Sequence, residues 1–178
     1  MRYLAVFGAS LALLSAQPAL AGISKAAFDC PAANAPAGLA ASLADVIIKG
    51  DENSPEVPKV FEALRTLTDT CIAKTGVKPD QAEAYAGYTF DVLLHRELGK
   101  RLTAKGVPVE AIDEGLGFGP GRPNLPVGEI QDSHVEKISA AMRVRGYDLA
   151  KAPDEVHRLI GMYIGALSGL AEDRAKLN

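Results

Sequence analysis

Four apolar stripes in this chain repeat at three- and four-residue spacing, and each is closed by a glycine: Gly50, Gly76, Gly106 and Gly146. That punctuation constrains the fold more than any other feature. Side chains three and four apart share one face of a helix, whereas a half-buried strand needs strict alternation. A glycine just past the last apolar position supplies the left-handed residue on which helices commonly stop. No run of alternating β-branched residues and no internal repeat is found beyond the first 21 residues. The spacing therefore predicts an all-α chain, a single-domain bundle of five or six helices.

The first stripe carries Leu39, Leu43, Val46 and Ile47. Ser54, Pro55 and Glu56 then form a start signal, with a capping oxygen, a proline suited to the first turn and an acid for the positive dipole end. Val57, Val60, Phe61, Leu64, Leu67 and Cys71 continue that helix on one face. Pro79 opens the longest stretch, to about Lys105. Its main face, with Tyr85, Thr89, Leu93 and Leu102, is widened by Phe90, Leu94 and Leu98, as expected of a central helix touched on two sides. Ser133 and Glu136 have the spacing of a capping box and predict a helix through Arg145. Pro153, Asp154 and Glu155 open the last helix, with Val156, Leu159, Ile160, Tyr163, Ile164, Leu167 and Leu170 as its core stripe. One long break, residues 115–128, holds five glycines and three prolines and predicts an irregular loop.

Residues 1–21 read as a secretory leader: Arg2, an apolar run from Tyr3 to Leu14, then Ala19-Leu20-Ala21 before Gly22. The run is too short to span a bilayer. Cleavage after Ala21 predicts a periplasmic or secreted protein with no transmembrane span, made of an irregular Pro/Ala-rich arm (22–36) and a helical domain (37–178). Hydrophobic content of 48% against 23% charged is that of a folded domain, and with no tryptophan the core must be aliphatic. A formal charge of −3 argues against a nucleic-acid partner. Cys30 and Cys71, in an exported chain, predict one disulfide; two separate buried thiols are the alternative.

Three groups of residues are candidates for function. Gly161, Gly165 and Gly169 repeat along the last helix, where each costs about 1 kcal/mol of helix propensity relative to alanine. Close approach of another helix of the same chain is the expected reason, and a homodimer seam the second. The 115–128 loop, with Phe118, Arg122 and Asn124, is a candidate binding loop closing over a groove near Tyr85 and Tyr88. It is no phosphate cradle, because no strand precedes it and Gly-Lys-Ser/Thr is missing. Asp91 and His95 stand four apart, and with Glu97 they form a candidate metal or acid–base group. Zinc needs a further protein ligand and HExxH is absent, so surface pairing or capping is the plain role of His95, His134 and His157. Arg96, Lys100, Arg101 and Lys105 read as a solvated basic face. The chain has no G-x-S-x-G and no C-x-x-C-H, and no cofactor is expected.

The stretch from Leu98 to Arg143 resembles the helical N-terminal dimerisation domain of exported FKBP-type prolyl isomerases. Gly99 and Leu102, Gly106-Val107, Gly115 and the helix opening at Ser133 follow its order. The 115–128 loop departs from that pattern and no isomerase domain follows, so no site residue is carried over. The functional expectation is an exported helical binding protein acting through a protein partner without catalysis. The alternatives are an enzyme or metal-binding protein using the Asp91/His95 face, and a carrier of a small apolar ligand between helices.

Overall fold

The computed structural model describes residues 22–122, 124, 128 and 130–178. Among them are seven α-helices and no strand: α1 (Lys25–Asn34), α2 (Leu39–Lys49), α3 (Glu56–Thr75), α4 (Ala82–Ala104), α5 (Val109–Gly115), α6 (Asp132–Val144) and α7 (Asp154–Leu177). The all-α expectation holds and the count is corrected from five or six to seven. The leader, residues 1–21, lies outside the described residues, as do positions 123, 125–127 and 129 of the long loop and its exit.

The added helix is α1, in the arm expected to be irregular. Its Pro/Ala composition argued against a packed element, and Pro31 indeed sits inside the helix. A proline there cannot donate to the carbonyl four residues back. That carbonyl, of Ala27, instead accepts from the hydroxyl of Tyr85 at 2.7 Å, and the neighbouring carbonyl of Phe28 accepts from Tyr88 at 2.8 Å. Ser24 caps the start, its Oγ accepting from the Ala27 N–H at 3.2 Å. Cys30 and Cys71 are disulfide-bonded, with Cα atoms 5.8 Å apart, which ties α1 to α3.

The four glycine stops adopt the left-handed backbone expected of them, with φ of 63°, 70°, 78° and 80° at Gly50, Gly76, Gly106 and Gly146. The start of α6 is corrected. It begins at Asp132, ahead of Ser133, and the N–H of Gln131 donates to Nδ1 of His134 at 3.2 Å. A ring nitrogen three residues on thus takes the place of the expected Ser–Glu box. Helix α4 is central, touching α1, α2, α3, α5 and α7, with α7 as its most extensive partner. Tyr85, Leu93, Leu98 and Leu102 of α4 are fully buried, as are Leu159, Tyr163 and Leu167 of α7. Each such side chain contributes about 1.5–3 kcal/mol through the water it leaves. Helices α5 and α6 pack on each other, and among the described residues no single helix is long and apolar enough to cross a membrane.

Candidate functional site

Helix α5 and α6 approach so closely at Gly115 that a Cβ there would lie 2.7 and 2.8 Å from the backbone N and Cα of Ile138. The chain leaves α5 through buried Leu116 and Phe118, with the N–H of Phe118 donating to the carbonyl of Asp113 at 2.8 Å. Asn124 then clasps the turn. Its Oδ1 accepts from the Gly119 N–H at 2.8 Å, and its Nδ2 donates to the carbonyls of Arg122 at 2.8 Å and Gly119 at 3.3 Å. Arg122 reaches back to Glu114, Nη2 to Oε1 at 2.9 Å, and the other carboxylate oxygen of Glu114 accepts from Arg145 of α6 at 2.7 Å. Arg145 above all, and Arg122 after it, hold the Glu114 carboxyl below its ordinary range. The three residues expected to form a binding loop therefore brace it: Phe118 from beneath, Asn124 within, Arg122 to its base.

Between this braced turn and α7 lies a pocket of about 170 Å³, lined by Asp113, Phe118, Gly119, Asn124, Leu167, Leu170, Ala171 and Arg174. Asp113 accepts from the Tyr163 hydroxyl at 2.8 Å. Burial raises its carboxyl, and the bond from Tyr163 works in the opposite direction. The phenol of Tyr163 is raised in turn, by its own burial first and then by Asp113. At the other side the guanidinium of Arg174 stands 5.3 Å from the Phe28 ring centroid and 5.7 Å from that of Tyr88. Aromatic faces attract a cation at that range, so the charge of Arg174 is held at the pocket edge without an ion pair among the described residues. The pocket thus offers apolar walls between a half-buried acid and a positioned cation.

The residues expected to hold a metal do not converge. Asp91 faces Gly169 of α7, and burial first, then the charges of Asp173 and Glu172, raise its carboxyl to about 7. His95, one turn on, lies against Tyr163 with ring centroids 4.3 Å apart. Its buried Nε2 has no hydrogen-bond partner among the described residues, and burial lowers the ring to about 4. Glu97 pairs with Arg101 at 3.0 Å and Lys100 at 3.7 Å. Among the described residues no group of three or more His, Cys, Asp or Glu side chains is arranged to hold a metal ion.

Of the glycine groove expected on α7, the contact with another helix of the chain is present at Gly169 and absent at Gly161 and Gly165 among the described residues. Nothing stands within 4 Å of where a Cβ would be at Gly161 or Gly165, and both are exposed; only Gly169 meets a neighbour, the side chain of Asp91. The basic face laces helices together: Arg101 binds Asp45 at 2.7 Å, Lys105 binds Glu155 at 3.1 Å and Arg96 donates to the Ala32 carbonyl at 3.3 Å. His157 Nε2 lies 3.0 Å from the carbonyl of Leu149. Tyr85 and Tyr88, expected beside the loop, are buried against α1, and Tyr88 meets the pocket only through Arg174. Asp113, Tyr163 and Arg174 were not legible as a group, because Tyr163 belongs to an ordinary helical stripe, Asp113 and Arg174 are single charged positions on α5 and α7, and they meet only through folding. Compared with family models, with curated proteins and with solved structures, the chain matches none.

Proposed function

We propose that this is an exported, periplasmic binding protein that works through a protein partner, seating one partner side chain in the pocket between the loop and α7. The size of the pocket carries the reading. About 170 Å³ is well below the roughly 300–1,000 Å³ of sites that enclose a cofactor or drug-sized molecule, and it suits a single side chain. Phe118, Leu167, Leu170 and Ala171 receive its apolar body, while Asp113 and Arg174 supply charged handles at either side. Binding residues concentrate on loops held by a rigid scaffold, and this loop is held by Glu114 and Asn124. Export is supported by the leader and by a disulfide of the kind that persists in an oxidising compartment.

The test is capture from native periplasm by the mature chain starting at Gly22. The expected result is one stoichiometric partner, lost with Leu170→Glu and weakened with Arg174→Gln, both variants melting as cooperatively as the parent. A partner retained equally by both variants would show that the pocket is not the surface used. A chain that captures nothing removes the partner and leaves the ligand and enzyme readings.

A further inference from the structure

The stripe that begins at Val57 divides on folding. Val60, Leu64, Leu67 and Cys71 enter the core, while Phe61 remains 42% exposed and Val57 half-buried. Phe61 lies nearly parallel to Phe90 of α4, ring centroids 6.4 Å apart and planes 16° from each other. With Val46 and Ile47 of α2, Val57 and Phe61 line a groove of about 320 Å³ that Gly50, Asp51 and Glu52 also line. An exposed aromatic in the wall of such a groove is surface that the fold has not consumed, and such patches mark contact sites.

The charge in the groove wall selects what fits. Helix α2 stops there, the Gly50 N–H donating to the Val46 carbonyl at 3.1 Å. The partial negative charge of a helix sits at its C-terminus, and two carboxylates follow at once. Neighbouring acids are paired, Asp45 with Arg101 at 2.7 Å and Glu56 with Lys59 at 3.6 Å. Asp51 and Glu52 have no ion pair among the described residues, and the Asp51 carboxylate accepts from the Asn53 N–H at 3.1 Å. Lys49, the cation of that turn, lines an adjoining depression with Asp45, Asp51 and Glu56.

We infer that this α2–α3 groove docks a short segment of a protein partner that lays an apolar side chain on Phe61 and brings a lysine or arginine to Asp51 and Glu52. Attraction between the apolar surfaces supplies the contact, and the carboxylates set polarity and reject acidic segments. The groove shares no residue with the loop pocket, so the two surfaces succeed or fail separately.

The experiment uses fluorescence anisotropy with three labelled synthetic peptides: one of leucine and lysine, one with glutamate replacing lysine, and one with serine replacing leucine. Only the first is expected to bind. Phe61→Ser should weaken it roughly tenfold or more, as loss of an aromatic anchor does. Asp51→Asn with Glu52→Gln should weaken it and flatten its dependence on salt. Both acids are exposed, so their variant is expected to melt like the parent. Phe61 packs on Phe90, so Phe61→Ser is expected to melt somewhat lower but as cooperatively, and circular dichroism checks this. Binding that survives Phe61→Ser, equal binding of the glutamate peptide, or no binding at all overturns the assignment. So does sedimentation showing a dimer that Phe61→Ser dissociates, since the groove would then be filled by a second copy.

Discussion

At the scale of the residue, the hydroxyl of Tyr85 takes the carbonyl that Pro31 leaves open, so α1 is satisfied by a side chain 58 positions further along. Leaving a buried carbonyl without a donor costs about 1–3 kcal/mol. Tyr85→Phe should lower stability by that amount, measured by urea denaturation. The loss should shrink in a Pro31→Ala background, where the backbone can donate again; an equal loss in both backgrounds would separate the tyrosine from the proline. Glycines give the opposite pair of signs. Gly165 is exposed with open space about it, so Gly165→Ala should stabilise α7 by roughly 0.5–1 kcal/mol. Gly115→Ala would drive a methyl into the α6 backbone and should destabilise by more than about 2 kcal/mol. Melting curves of the two variants moving in the same direction would contradict this placement of the glycines.

At the scale of the element, α4 and α7 interlock through a reciprocal pattern. Gly87 and Asp91 on α4 face Asp173 and Gly169 on α7, so that each carboxylate fills the space left by the opposing glycine. The price is a half-buried acid: between pH 3.8 and about 7, Asp91 keeps its proton in the fold and loses it on unfolding. Its contribution is fully present below about pH 4 and disappears as pH rises through 7. His95 runs the other way. Lowered from 6.5 to about 4, it is neutral in the fold, and its contribution is present above 6.5 and lost as pH falls through 4. Between about pH 4 and 6.5 the two slopes oppose each other. Relative to the parent, Asp91→Asn should therefore lose melting temperature on acidification over that range, and His95→Phe should gain it. Superimposable profiles for the three proteins would disprove the opposition.

For the whole molecule, the disulfide joins the first helix to the third across a separation of 41 residues. Loop-closure entropy assigns a bond of that span about 4 kcal/mol, which corresponds to a fall of roughly 8–16 °C in melting temperature on reduction. Scanning calorimetry with and without reductant measures it. A shift below about 2 °C would mean that the tyrosine bonds and the contact of the Ile23 N–H with the Leu177 carbonyl at 2.9 Å hold α1 unaided. The two proposed surfaces lie on different helices, the loop pocket against α7 and the Phe61 groove between α2 and α3, and share no lining residue.

The sequence by itself determined the helices whose cause is local. A stripe repeating every three or four residues and a glycine with φ above zero are properties of neighbouring positions, and Gly50, Gly76, Gly106 and Gly146 behave accordingly. The disulfide was also legible, because Cys30 and Cys71 had no other cysteine to pair with. What depends on distant groups was not. Pro31 argues against a helix until Tyr85 arrives to satisfy Ala27. Gly161 and Gly165 suggest a packed groove, yet of that stripe only Gly169 meets α4, through Asp91. Asp91, His95 and Glu97 look like one site by spacing, yet each turns to a different neighbour. Asp113 meets Tyr163 across 50 residues, and Arg174 reaches Phe28 from the far end of the chain. Spacing along a helix specifies direction about its axis, and only packing decides what lies in that direction.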